Sequence, residues 1–241
     1  SGLSGAATSP AATLLAIADA LAPLTARFAE AGHELALVGG PVRDIMLGRA
    51  GVAHDLDLTT DARPERIEEL VRGWADHVWD VGMRFGTVGA RKGDHHLEIT
   101  TYRSESYDAD SRKPEVTFGD TLAGDLARRD FTVNAMAVRL PSLEFVDLHD
   151  GMRDLSDRVL RTPIAPEESF GDDPLRMMRA ARFVSQLGFA IAPEVLAAMP
   201  LPRRPYVERT LLWLMKFDIL RLTSATPLRP LTGDQPGGPD V

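Results

Sequence analysis

The stretch Leu35-Ala36-Leu37-Val38-Gly39-Gly40-Pro41-Val42-Arg43-Asp44 runs from four apolar residues through a glycine pair into a proline. Four apolar residues bounded by turn formers read as a short buried strand. Proline in the first turn and Gly48 past the end predict a helix from Pro41 to Leu47. A strand–glycine turn–helix start aims backbone N–H groups at an anion, and glycine permits a phosphate to come close. Arg43, in the first turn, adds a guanidinium suited to a two-pronged phosphate contact. The same pattern also serves a tight connection chosen only for its backbone angles. Fifteen residues after Gly40, His54-Asp55-Leu56-Asp57-Leu58 predicts a second strand. Strand alternation puts Asp55 and Asp57 on one face and Leu56 and Leu58 on the other. Two carboxylates so placed can hold Mg²⁺, which prefers oxygen ligands and serves phosphoryl and nucleotidyl transfer. Alone, so short a pattern is more often a solvated edge strand with two ordinary aspartates.

Outward from this centre, Leu14, Ile17, Ala18, Leu21, Leu24 and Phe28 recur at helical spacing and predict a helix over 13–31 that ends at Gly32. A helix follows the second strand from Pro64 to about Trp74, then strands near 78–81, 86–91 and 95–102, and a polar loop over 104–121. Helix is expected over 121–138, a strand at Phe145-Val146-Asp147-Leu148, and helices beyond Gly151. The pattern is an α/β (α+β) fold with a mixed five-stranded sheet. It divides into a mobile N-terminus at 1–12, a head domain at 13–155, a helical neck at 156–222 and a disordered tail at 223–241, where Pro, Gly and Asp replace apolar periodicity.

Composition adds constraints. The 241 residues include no cysteine, which excludes disulfides and thiolate metal sites and fits a reducing, cytoplasmic setting. No apolar run approaches the roughly 18 residues of a membrane span. The net charge of −8 is unusual for a nucleic-acid binder. Charge is unevenly spread, however: residues 171–216 hold six arginines and one lysine against two aspartates and two glutamates.

Two further blocks carry chemistry. Arg128-Arg129-Asp130-Phe131-Thr132-Val133-Asn134-Ala135 sets charges before a core-facing run, so Arg129 is either a surface ion-pair partner or a phosphate or ribose contact. Phe170-Gly171-Asp172-Asp173-Pro174-Leu175-Arg176 opens a helix, with Asp173 as its cap. Arg176, Arg179 and Arg182 fall within about 120° of that helix's circumference, with Met177, Ala181 and Val184 opposite. An arginine stripe is usually just a solvated face, but few acidic partners one turn on point to a face awaiting an anion.

Together these blocks resemble class II tRNA nucleotidyltransferases (CCA-adding enzymes) and bacterial poly(A) polymerases, of the polymerase-beta-like superfamily. The motifs are Leu-Val-Gly-Gly-Pro-Val-Arg-Asp at 37–44, Asp-Leu-Asp at 55–57, Arg-Arg-Asp-Phe-Thr-Val-Asn-Ala at 128–135, Asp-Gly-Met-Arg-Asp-Leu at 150–155 and the helix at Asp173. The resemblance implies that Asp55 and Asp57 bind Mg²⁺ and catalyse transfer. It implies that Gly40 and Arg43 line the triphosphate, with Arg129 and Asp130 near triphosphate and ribose. Asp173 and Arg176 then read the Watson–Crick edge of CTP or ATP, supported by Arg179 and Arg182, and Glu98 stands where a third carboxylate is expected. The implied acceptor is the 3′ end of tRNA. Poly(A) polymerase and a nucleotide- or RNA-binding fragment without turnover are the alternatives. Past Met199 the motifs stop, with Pro200, Pro202 and Pro205 interrupting, so the chain is expected to be a head with a partial neck that binds nucleotide well and tRNA weakly.

Overall fold

A computed structural model describes residues 9–49, 54–82, 86–104, 117–119 and 121–199. The chain divides after Met199, and every described residue belongs to the first unit. The expectations for 1–8, for most of the 104–121 loop, for the end of the neck and for the tail lie outside the described residues.

Helix α1 (Pro10–Glu30) begins where Ser9 accepts the N–H of Ala12 at 3.2 Å and proline takes the first helical position. It is long and apolar enough to cross a membrane by length and composition, contrary to the sequence expectation. Its buried stripe explains that composition otherwise. Ile17, Leu21, Leu24 and Phe28 pack into the same core cluster as the strands, each contributing about 1.5–3 kcal/mol.

The chain continues through β1 (Leu35–Val38), α2 (Gly40–Met46), β2 (Asp55–Thr60), α3 (Pro64–Val71), β3 (His77–Gly82), β4 (Thr87–Lys92) and β5 (His95–Thr101). After the short pair β6 (Arg103–Ser104) and β7 (Thr117–Phe118) come α4 (Leu122–Ala127), a 3-10 turn at Thr132–Asn134, β8 (Met136–Leu140) and β9 (Phe145–Asp147). Then follow α5 (Gly151–Asp157), β10 (Val159–Leu160), α6 (Pro166–Asp172), α7 (Leu175–Leu187), β11 (Ala190–Ile191) and α8 (Pro193–Ala198).

The main sheet is mixed, as expected, but has seven strands rather than five, in the order β3-β4-β5-β2-β1-β8-β9. Only the β2–β5 pair is parallel within it. Much of the difference comes from 121–138, which is not one helix. Thr121 caps the short α4 by accepting the N–H of Gly124, and Met136 to Leu140 then leaves helical geometry to pair with β1 and β9. Phe131, Val133, Ala135 and Met136 are all buried, so local periodicity yields to pairing on both sides of β8.

One sheet face carries Leu56, Leu58, Val88, Ala90, Leu97 and Ile99 into the core against α1 and α3. Asp55 and Asp57 alternate with this set and stand on the other face. Burial of one face fixes the register, since a slip of one residue would drive both carboxylates into the core.

Candidate active site

The site is a cleft of about 760 Å³. Its floor is the polar face of the sheet. Parallel pairing puts Asp57 opposite Glu98, and Asp55 one step along opposite His96. Among the described residues, none donates a hydrogen bond to the carboxylates of Asp55, Asp57 or Glu98. Desolvation raises the Asp57 pKa above the ordinary carboxylate value. The Glu98 and Asp55 charges push the same way, only partly countered by Arg129 and Arg43. Arg129 and Arg43 thus offset the acidic floor only in part, and no described residue donates a hydrogen bond to it.

That donor set fits a magnesium-like ion. Among the described residues no three acidic or imidazole groups close around a point. Mg²⁺ rarely uses an all-protein cage; it is held by one or two carboxylates together with water and substrate phosphates.

One side wall is the glycine turn. Gly39 has φ +71°, in the left-handed region, and a Cβ there would lie 2.9 Å from Nη1 of Arg129 and 3.7 Å from Oδ2 of Asp57. The angle favours glycine, and any side chain here would have to displace the Arg129 guanidinium. Gly40 lines the cleft beside it, at ordinary φ. Arg43 is buried and held through three of its five N–H groups: Nε and Nη2 donate to the two oxygens of Asp44 at 2.9 Å, and Nη1 donates to Oδ1 of Asn134 at 2.7 Å. Asn134 passes the connection on, donating from Nδ2 to Asp130 at 2.9 Å. Arg129 donates to Asp125 at 3.0 Å, while its buried Nε has no hydrogen-bond partner.

The far wall is α7. Asp173 accepts the N–H of Leu175 at 3.0 Å, so it supports the first turn of α7 from its place just after α6. Arg179 spans Asp130 (3.6 Å) and Asp173 (3.4 Å) and so ties the head motif to the helix. The expected arginine stripe is not one exposed face. Arg176 is 7% exposed and shares the buried face with Ala180 and Phe183, while Ala181 and Val184 face outward. Its Nη1 donates to Oγ of Ser169 at 2.7 Å and its Nη2 to the carbonyl of Arg128 at 2.5 Å. Burial pushes its pKa down. Arg43 and Arg182 both lie against the Phe183 ring, 5.3 and 5.1 Å from its centroid, and Phe131 meets that ring edge-on at 5.8 Å. The Arg43 and Phe131 contacts seat α7 against this wall, whereas Arg182 lies beside Phe183 on the same helix.

The cleft lining thus gathers Gly40, Arg43, Asp57, Arg129, Asp173, Arg176, Arg179 and Arg182. Asp55 is outside that lining, two residues nearer the start of β2 on the same face. Sequence reasoning missed Gly39, Asp125 and Asn134 as site components. Asn134 has a local signal, four residues after Asp130 on one helical turn; Asp125 has none before the fold brings it to Arg129.

Comparison with known proteins gives a consistent result. Residues 35–161 match the family model of the poly A polymerase head domain. The CCA-adding enzyme of Levilactobacillus brevis is 44% identical over 215 residues, covering 87% of this chain and 51% of that protein. The enzyme of the same name from Enterococcus faecalis is 42% identical over 193 residues, covering 78% and 46%. Among solved structures, the Bacillus stearothermophilus CCA-adding enzyme in complex with CTP superposes with a TM-score of 0.64 at 37% identity, covering 74% of this chain and 41% of that one. A tRNA nucleotidyltransferase complexed with a primer tRNA and an incoming ATP analogue gives 0.58 at 30% identity, covering 83% and 51%. The chain spans about half the length of the curated relatives it matches. With the family model covering just over half of its residues, the chain belongs to the poly A polymerase head-domain family.

Proposed function

We propose that this chain transfers nucleotides from CTP and ATP to the 3′ end of tRNA without a template, using Mg²⁺ and releasing pyrophosphate. The observation that carries the reading is the floor, where Asp57 and Glu98 face each other across paired strands with Asp55 alongside and their charge only partly offset by Arg129 and Arg43. Asp55 and Asp57 would hold the metal, with Glu98 beside them. When bound, a divalent ion activates the attacking 3′ hydroxyl and stabilises the charge that develops on the leaving oxygen. Gly40, Arg43 and Arg129 form the triphosphate side. Arg43 is already aligned by Asp44 and Asn134, so its cost of ordering is met before substrate arrives.

Asp173, Arg176, Arg179 and Arg182 form the base side. A carboxylate accepts from the exocyclic amine shared by cytosine and adenine, and a guanidinium donates to the neighbouring ring acceptor. UTP and GTP leave such groups unpaired, which is the strongest basis for rejection. Residues 13–155 act in this reading as the head and those from 156 as the neck, and the setting is cytoplasmic. The relatives that support it include proteins named CCA-adding enzymes, one of them solved with CTP, and a tRNA nucleotidyltransferase solved with a primer tRNA.

The test is pyrophosphate release from each nucleotide with a tRNA lacking its 3′ end, read together with the extension products. Three discrete additions from CTP and ATP are expected. A long adenylate ladder would favour poly(A) polymerase, the activity for which the matching family model is described. Nucleotide binding with no pyrophosphate from any acceptor would leave a binding module.

A further inference from the structure

The polar face of the sheet extends past the floor. Cross-strand register runs Asp57–Glu98–Gly89–Trp79 over β2, β5, β4 and β3, so all four positions lie in one row on one face. Gly89 has no side chain, and the Trp79 indole and the Val81 side chain occupy the space above it. A Cβ at Gly89 would collide with Cε2 and Nε1 of Trp79. Trp79 is nonetheless 41% exposed and Val81 44%. The His96 ring stands edge-on to the indole, with centroids 6.5 Å apart. The next row, Asp55–His96–Arg91–His77, puts the cation Arg91 beside this shelf. An edge strand that shows a large aromatic to solvent invites a partner, and the glycine leaves room for this aromatic to pack over the sheet.

The occupant follows from the geometry of the reaction, and this step rests on the nucleotidyl-transfer reading above. In-line displacement puts attacking and leaving oxygens on opposite sides of the reacting phosphorus. The leaving pyrophosphate belongs to the glycine turn and Arg43, on the β1 side of β2. The attacking strand must then enter over β5, β4 and β3, and the shelf begins three strand spacings from Asp57, about 14 Å away. We propose that Trp79, laid over Gly89 beside Val81 and His96, is a stacking platform for an unpaired base of the RNA acceptor just upstream of its 3′ end. Arg91 offers charge to the adjoining phosphate. Aromatic platforms bind single strands in a sequence-tolerant way, which suits an acceptor end whose base changes with each addition.

The experiment compares wild type, Trp79→Ala, Trp79→Phe and Gly89→Ala for affinity toward an RNA hairpin with a single-stranded 3′ end and, separately, toward CTP. Trp79→Ala is expected to weaken hairpin binding about tenfold, within the roughly 5- to 150-fold range of one base–aromatic stack. CTP affinity stays unchanged, Trp79→Phe recovers most of the loss, and Gly89→Ala, which leaves the indole present but displaces it, falls between. Unchanged hairpin affinity in Trp79→Ala overturns the proposal. So does a loss shared equally by CTP, or a change of oligomeric state without a change in RNA affinity. Binding needs no turnover: a wild type that releases no pyrophosphate yet loses hairpin affinity in Trp79→Ala sinks the transfer reading and keeps the platform.

Discussion

The floor and the walls of the cleft treat charge in opposite ways. In the walls, Asp44, Asp125, Asp130 and Asp173 each meet an arginine, while Arg43 also reaches Asn134 and the buried Arg176 reaches Ser169 and a backbone carbonyl. On the floor, Asp55, Asp57 and Glu98 receive no hydrogen bond from any described residue. The walls pair their acids with arginines, and the floor does not. Leaving them repelling one another raises the free energy of the metal-free state and reserves the floor for a cation. The walls are prearranged and the floor waits, and the two should answer differently to substitution.

The largest effect is expected at the floor. Asp57→Asn should lower nucleotide transfer by on the order of 10³-fold, since the several kcal/mol of charge stabilisation supplied by a bound cation is lost with its ligand. Without metal, the same variant should melt no lower than wild type. The sign follows from linkage: the folded-state pKa of Asp57 is raised, chiefly by burial, so the native state holds its proton more tightly than the unfolded chain. Metal-free wild type then loses stability as pH rises from the ordinary value of 3.8 through the raised one, and the variant does not. Thermal melts in EDTA across that window test it, and near-normal Mg²⁺-dependent transfer by the variant would remove the floor from the mechanism.

In the wall, stability is the first casualty. Arg176→Ala removes two hydrogen bonds from a buried guanidinium and strands Ser169 Oγ and the Arg128 carbonyl. A cost of roughly 2–3 kcal/mol is expected, a fall in Tm on the order of 5–10 °C, together with altered preference among the four nucleotides. Arg179→Ala removes a guanidinium that is 43% exposed and bridges two aspartates at 3.4 and 3.6 Å. Its stability cost should stay within about 1 kcal/mol, leaving any change in selectivity easier to read. If Arg179→Ala destabilises as much as Arg176→Ala, the distinction between a buried strut and an exposed contact fails.

The floor was the most legible part of the site because strand alternation is local: Asp55 and Asp57 share a face whatever the strand pairs with. Glu98 joins them only through the parallel pairing of β2 with β5, which no short window of sequence encodes. The strand at Met136–Leu140 was hidden for a related reason, since its apolar run suits a buried helix as well until β1 and β9 claim its hydrogen bonds. Arg176 was misplaced because a helical wheel records angles and not which sector meets the core. Composition favours an arginine in solvent, whereas Ser169 and the Arg128 carbonyl, 7 and 48 residues away in sequence, draw it inside.

A smaller wall effect is expected at Gly39. Alanine there must hold φ +71°, at roughly 1–2 kcal/mol, and its Cβ would press on Arg129 at 2.9 Å. Because Arg129 stands between Asp125 and Asp57, its displacement should raise KM for nucleotide more than it lowers Tm. Gly40→Ala, with Nη2 of Arg43 3.7 Å from the added carbon and no positive φ, is the matched control and should be milder in both respects. A fall in Tm with KM unchanged at both glycines would mean that the turn serves the chain path alone.

The smallest effect is expected at a carboxylate that the fold does satisfy, far from the cleft. Asp76 accepts the N–H of Gly93 at 2.8 Å and the ammonium of Lys92 at 3.0 Å, at the turn that joins β4 to β5. The backbone hydrogen bond, and Lys92 after it, hold its pKa below the ordinary 3.8. Linkage now has the opposite sign: the unfolded chain binds the proton more tightly, so this contribution is present above pH 3.8 and is lost as pH falls through the lowered value. Asp76→Asn should therefore be slightly less stable than wild type at neutral pH, converge with it in acid, and transfer nucleotides normally. Salt should shrink the difference, because the pair is exposed to solvent. Melting Asp57→Asn and Asp76→Asn side by side without metal turns the contrast between waiting and satisfied acids into two curves that leave the wild-type curve on opposite sides. Two curves displaced in the same direction would mean that repulsion on the floor is too weak to reserve it for a cation.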